Sequence, residues 1–236
     1  MNKMVNKIIV SLGVVLLTGM PIKKAYSQSL IDFSIGASTM DRYFSNLAYR
    51  YQVNDNFRIG FEFQMSSPKY RFVGARPFEN GYSTSLNLPL SFKIAEQGRV
   101  RLDGFVRPGV RFQGIMFPDN PAEESISNST AVLLDAGLLV NVKLTDRLNL
   151  GSGVFLPAGF EIAPNTVFEY LGTPNFTAGL SYLASPKTIL FLKGISGPAF
   201  GADGDTYKFI WSIQGGIRFA LGKKSNNKSL LTEPSF

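Results

Sequence analysis

The sequence predicts an all-β chain: an antiparallel transmembrane β-barrel of about ten strands. Three observations carry that expectation. Apolar and polar residues alternate with period two through most of the 236 residues. The connections between alternating segments switch between short turns and long loops. The apolar side of the segments is almost free of charge, while the polar side is rich in it. Successive side chains of a strand point to opposite faces, so each segment has one apolar and one polar face.

The first 27 residues read as an export signal. A short basic stretch ending at Lys7 precedes the apolar run from Ile8 to Met20. Ala25 and Ser27 are the small residues a signal peptidase reads, which places the mature start at Gln28. The apolar run falls short of the roughly 20 residues a membrane-spanning helix needs. The chain has 24 Lys+Arg against 17 Asp+Glu, a formal charge of +7, and four of the lysines leave with the signal. The remainder is only mildly basic and is exported, so no nucleic-acid partner is expected.

The strands then follow in order: 30–38, 45–53, 57–65, 83–94, 99–113, 130–144, 148–156, 176–183, 189–193 and 208–221. Phe57, Ile59, Phe61, Phe63 and Met65 interleave with Arg58, Gly60, Glu62 and Gln64, and the segments beginning at Ser83 and Arg99 repeat the pattern. Asn, Asp, Gly and Pro supply the short turns at 54–56, 95–98, 145–147 and 184–187. Longer loops lie at 66–82, 114–129, 157–175 and 194–207. Short turns at one end and long loops at the other is how outer-membrane barrels are built. The ninth strand is short, so a count of eight also remains open.

A soluble barrel would turn its apolar face inward. Here the apolar face of nine strands carries no charge; Lys193, in the short ninth strand, is the exception. The other face holds ten basic and four acidic residues. Aromatics gather near strand ends, with Tyr51, Phe57, Phe92, Tyr182 and Phe219 by the short turns and Phe112, Phe176 and Trp211 by the long loops. That is the distribution of interfacial girdles.

The hairpin YRYQVNDNFRIGFEF ending at Phe63, the LNLPL segment ending at Leu90 and the closing WSIQGGIRF ending at Phe219 resemble the small outer-membrane β-barrel proteins of the Bacteroidota type. The resemblance implies a fold and an insertion route but no activity. It implies the outer membrane of a Gram-negative bacterium, with lipid and lipopolysaccharide around the barrel and the barrel-assembly machinery as partner for insertion. The last strand resembles the signal which that machinery reads, with Phe219 as its aromatic. The expected organisation is a signal peptide at 1–27, a barrel at 28–221 and a periplasmic tail at 222–236.

A ten-stranded barrel is only slightly wider than the eight-stranded kind that side chains just fill, so a large pore is not expected. The inward set comprises Asp32, Arg50, Arg58, Glu62, Lys93, Arg99, Arg101, Asp103, Arg107, Arg111, Asp135, Lys143, Lys208 and Arg218. Ions inside a barrel must be paired or hydrated. Counting from the turns sets Arg107 level with Asp135, brings Asp32 and Arg218 together where the first and last strands meet, and lets Glu62 reach Arg50 diagonally. Ten bases against four acids leave an excess of six positive charges, gathered at the short-turn end by Lys93, Arg99, Arg101 and Lys143.

The chain has no His and no Cys. That excludes His-based triads, thiolate nucleophiles and His or Cys metal sites. Glu123, Glu124, Asp203 and Asp205 read as loop charge rather than as a catalytic pair or calcium site. No enzyme activity, cofactor or metal is expected. Tyr70 and Phe72 in one loop, and Phe160, Phe168 and Tyr170 in another, are candidates for docking other envelope proteins. The tail offers a second contact with a periplasmic partner. The expected role is a structural or accessory subunit of an outer-membrane complex for barrel assembly, secretion or uptake. The alternative is a narrow anion-preferring channel or ligand-binding barrel that uses the basic lumen.

Overall fold

The computed structural model describes residues 29–68, 80–116, 127–163, 167–172, 174–201 and 207–221. The expected signal peptide, the tail, Glu123, Glu124, Asp203 and Asp205 lie outside them. Twelve strands are present: β1 (Ser29–Ser38), β2 (Asp41–Asn54), β3 (Phe57–Pro68), β4 (Asn80–Asn87), β5 (Leu90–Gln97), β6 (Val100–Met116), β7 (Ser127–Lys143), β8 (Leu148–Ala163), β9 (Val167–Gly172), β10 (Asn175–Ser185), β11 (Thr188–Gly201) and β12 (Tyr207–Leu221).

They form ten antiparallel staves closed into a barrel. Two staves are each built from two strands, and a proline stands at each break. The fourth is β4 and β5, interrupted at Leu88 and Pro89, with β3 on one side and β6 on the other. A proline cannot donate to the ladder. The neighbours bridge the gap: Gly60 N–H donates to Pro89 O at 2.8 Å, and Leu88 N–H donates to Pro108 O at 2.8 Å. The eighth stave is β10, which β9 prolongs beyond Pro174. Both strands lie between β8 and β11, and their registers are continuous to within a bulge. β1 and β12 close the barrel from Ser29↔Leu221 to Ser38↔Ser212.

This differs from the sequence expectation at two places. The stretch 157–175 is not a long loop. β8 runs on to Ala163, and β9 returns beside it. β11 is likewise 14 residues long rather than five. The upper wall therefore rises higher here than the sequence expectation set it.

Side-chain caps hold the turns. Asn54 Oδ1 accepts from the N–H groups of Asn56 (2.8 Å) and Phe57 (2.9 Å), and Thr145 Oγ1 accepts from Arg147 (3.2 Å) and Leu148 (3.0 Å). At the opposite end Ser38 Oγ accepts from Met40 and Asp41. Gly98 turns β5 into β6 with φ of 59°, a conformation that side-chain-bearing residues rarely adopt.

The barrel is inside out. The buried set is mostly Ser, Asn, Asp, Glu and Arg, while far more large apolar side chains are exposed than buried. Among the strand residues whose side chains are described, and apart from Arg42 at the rim end of β2, the outward face carries no Asp, Glu, Lys or Arg. Phe92, Tyr182 and Phe219 point outward near the short turns, and Phe112, Phe176 and Trp211 near the other end. Such an exterior is solvated by lipid, not by water.

Leu138, mid-wall on β7 and outward-facing, tests that assignment. In lipid vesicles, Leu138→Arg should lower the unfolding free energy by about 2–4 kcal/mol, the cost of Arg at the bilayer midplane. Denaturant titration measures it; a loss below about 0.5 kcal/mol, typical of a water-facing substitution, would contradict the outward face.

Candidate functional site

The chemistry of the barrel lies in its lumen, because the wall outside is apolar. Alternation along each strand delivers the inward residues, and the register sets their heights. Asp32 faces Arg218 directly across the β1–β12 seam. Arg218 Nε donates to Asp32 Oδ1 at 2.7 Å and Nη2 donates to Oδ2 at 2.9 Å, a bidentate pair that Arg50 Nη2 joins at 3.3 Å. The Arg218 guanidinium also lies 5.7 Å from the centre of the Phe191 ring.

A second cluster lies toward the long-loop end. Arg107 and Asp135 face each other on β6 and β7. Arg107 Nε donates to Asp135 Oδ2 at 2.8 Å, Nη2 bonds the same oxygen, and Nη1 reaches across the lumen to Glu62 Oε1 at 3.2 Å. Glu62 thus engages Arg107, where counting along the strands set Arg50 within its diagonal reach. A third cluster is nearer the short turns. Arg101 holds Asp103 through Nε (2.8 Å) and Nη2 (2.7 Å), and Asn141 and Asn149 extend the chain of hydrogen bonds from Asp103 Oδ2.

Small residues make room for these long side chains. Ala48 sits between Asp32 and Glu62 in one cross-strand row, and Ala131 sits between Arg111 and Glu161 in another. Strands are about 4.8 Å apart, so residues two strands away are within a guanidinium's reach over an alanine.

Three charged members of the lumen were not legible as such. Asp41 lies ahead of the expected second strand. Glu161, 1% exposed, fell in the stretch read as a loop. Lys193 is inward and buried, beside Gln214 of β12, and so is no exception on the outer face. On β11 the inward side is Ile189, Phe191, Lys193 and the outward side is Leu190, Leu192, so apolarity alone did not tell the faces apart.

Other expected members sit differently. Arg99 is in the β5–β6 turn and exposed, where Nη1 donates to Leu144 O at 3.3 Å. Lys93 and Lys143 lie at the short-turn end and pair locally with Glu96 (3.0 Å) and Asp146 (2.7 Å). The Lys208 side chain is outside the described set. Among the described side chains within the barrel, seven bases (Arg50, Arg58, Arg101, Arg107, Arg111, Lys193 and Arg218) face six acids (Asp32, Asp41, Glu62, Asp103, Asp135 and Glu161). The positive excess among them is one rather than six, and Lys93 and Lys143 at the short-turn end are locally paired.

Apolar side chains complete the filling. Phe105, Leu139 and Phe155 form a buried cluster with Ile195 against it, and Leu30, Leu183, Ile189 and Ala220 form another near the short turns. Glu62 and Asp103 are 0% exposed and Arg218 is 1%, so water has no surface contact with the ion lattice at these points. Above it opens a vestibule of about 270 Å³, floored by Glu62, Arg107, Asp135 and Lys193 and walled by Ser and amide side chains.

Of the docking candidates, Tyr70 and Phe72 lie outside the described residues, as do the side chains of Phe168 and Tyr170 within β9. Phe160 is a wall residue of β8, opposite Val132.

No family model and no curated protein matches the sequence. The structural neighbours are outer-membrane barrels. Neisserial surface protein A is 12% identical, covers 82% of this chain and 94% of its own, and has a TM-score of 0.38. The translocator domain of the autotransporter NalP from Neisseria meningitidis is also 12% identical, with coverages of 91% and 95% and a TM-score of 0.48. The outer membrane protease OmpT from Escherichia coli is 8% identical, with coverages of 83% and 96% and a TM-score of 0.41. Likeness at this level carries no inference about activity.

Asp32 is shared by two guanidiniums, so its removal takes a buried counter-ion from both. Asp32→Ala should cost about 3–5 kcal/mol of stability, the usual loss on breaking a buried ion pair. The double variant with Arg218→Met should recover part of that loss. Denaturant titration checks both; a loss under about 1 kcal/mol for Asp32→Ala, the level of a surface salt bridge, would refute the dry lattice.

Proposed function

We propose that the chain is an integral outer-membrane β-barrel that acts as a closed, non-enzymatic accessory subunit of an outer-membrane complex. The observation that carries this reading is the filled lumen. The ion lattice, with Glu62, Asp103 and Arg218 wholly buried, and the Phe105–Leu139–Phe155 cluster occupy the interior side by side. Conduction requires a hydrated path with sites weak enough to leave, and a lattice of paired, dehydrated ions supplies neither. The absence of His and Cys supports a non-enzymatic role, since the commonest acid–base and nucleophilic groups are missing.

A membrane barrel that neither conducts nor catalyses contributes through its rims and its wall. The long-loop rim, built from the upper ends of the long strands β6, β7, β8 and β11 with β9 beside them, gives an edge on which a partner can rest. Export through a cleaved signal at 1–27 and insertion by the assembly machinery belong to the same reading.

In planar bilayers the wild-type protein should add no reproducible conductance steps. The double truncation Phe105→Ala with Phe155→Ala, which thins the filling, should produce small ones. After extraction in mild detergent the wild type should migrate with other envelope proteins. A stable anion-selective wild-type pore, or migration as a lone monomer, would overturn the proposal.

A further inference from the structure

The vestibule is an opening of the described lumen, and its chemistry is selective. Six charged residues line it, three of each sign: Arg107, Arg111 and Lys193 against Asp41, Glu62 and Asp135. Arg107 is already shared between Glu62 and Asp135. Glu62 Oε2 and Asn46 Oδ1, both in residues of this wall, are buried acceptors without a hydrogen-bond partner among the described residues. With three charges of each sign, the lining favours neither an anion nor a cation. The rest of the polar wall is neutral: serine hydroxyls and the side-chain amides of Asn and Gln from seven staves.

Two aromatic faces interrupt the amides. Phe44 lies over Gly36, where a Cβ would collide with the ring, and Phe155 stands on the far side of the cavity wall. Ile195, Ile210 and Leu133, with Met40, Pro68 and Pro157, complete the apolar part. Binding pockets typically combine such apolar surface with a few polar groups that orient the ligand. The volume of about 270 Å³ equals roughly nine water molecules at about 30 Å³ each, the size of a ring with about a dozen non-hydrogen atoms.

We propose that this vestibule binds a neutral, hydroxyl-rich ring of hexose size, entering from the long-loop end. Its equatorial hydroxyls meet the amide and serine wall, and its C–H faces lie against Phe44 and Phe155. The closed floor makes it a binding site rather than a passage, so the inference stands apart from the accessory role.

Isothermal titration calorimetry on the full-length protein in detergent tests it, with D-glucose, D-galactose and N-acetyl-D-glucosamine as neutral probes. D-glucuronate and D-glucosamine serve as charged counterparts. At least one neutral sugar should bind with a millimolar or tighter dissociation constant, and at least tenfold tighter than either charged sugar. The same sugar as the non-reducing end of a trisaccharide should bind equally well if the natural source is a surface glycan, and at least tenfold weaker if it is the free sugar. Ser85→Trp and Ser212→Phe each fill the cavity from a different stave. Either variant that keeps the heat-modifiable gel shift of a folded barrel should weaken binding at least tenfold. No neutral sugar binding, tightest binding by glucuronate, or unchanged binding in a folded filled variant would each overturn the proposal.

Discussion

Lipid offers a chain no hydrogen bonds, and every other feature of this molecule follows from that constraint. Backbone groups must be satisfied within the wall, so the sheet closes, with β1 against β12 leaving no edge. Charged and amide side chains have only the interior, so they collect there. Once collected, they must satisfy one another, because each isolated ion in a narrow dry lumen would cost several kcal/mol. The bidentate Asp32–Arg218 pair at the seam and the Arg107 bridge between Asp135 and Glu62 are the outcome.

Position and size cooperate in this lattice. Ala48 and Ala131 leave room among the long side chains of their rows, and part of the remaining space is filled by Phe105, Leu139 and Phe155. The result is a barrel that is closed low down and open above. That asymmetry separates two roles: the shut part makes the molecule an inert pillar in the membrane, and the open part forms a vestibule with balanced charge and neutral hydrogen-bonding walls.

Much of this was readable from residue order. Period-two alternation sets the face of every strand, since a slip of one residue would exchange inside and outside. Counting from the turns was enough to level Arg107 with Asp135 and Asp32 with Arg218. Where reading failed, the contrast between faces had vanished. On β11 the inward Ile189 and Phe191 are as apolar as the outward Leu190 and Leu192, which disguised Lys193. β9 and Glu161 were hidden by Pro157, Pro164 and Pro174, whose spacing resembles a loop. Pro157 sits within β8, and Pro174 interrupts the ladder without ending the stave, because β8 and β11 carry the register past the break. The excess positive charge assigned to the lumen shrank for the same reasons: Asp41 and Glu161 were missed, and Arg99, Lys93 and Lys143 belong to the end of the barrel.

The central claim is that the lumen is open above the lattice and dry at and below it. The chain has no native cysteine, so single-cysteine accessibility measures this directly. In intact cells, a small membrane-impermeant thiol reagent should label Ser85→Cys and Ser212→Cys in the vestibule. It should leave Ser91→Cys and Ser181→Cys, beyond the lattice toward the short turns, unmodified. Labelling at all four positions at comparable rates would mean a continuous aqueous path, and would contradict the account.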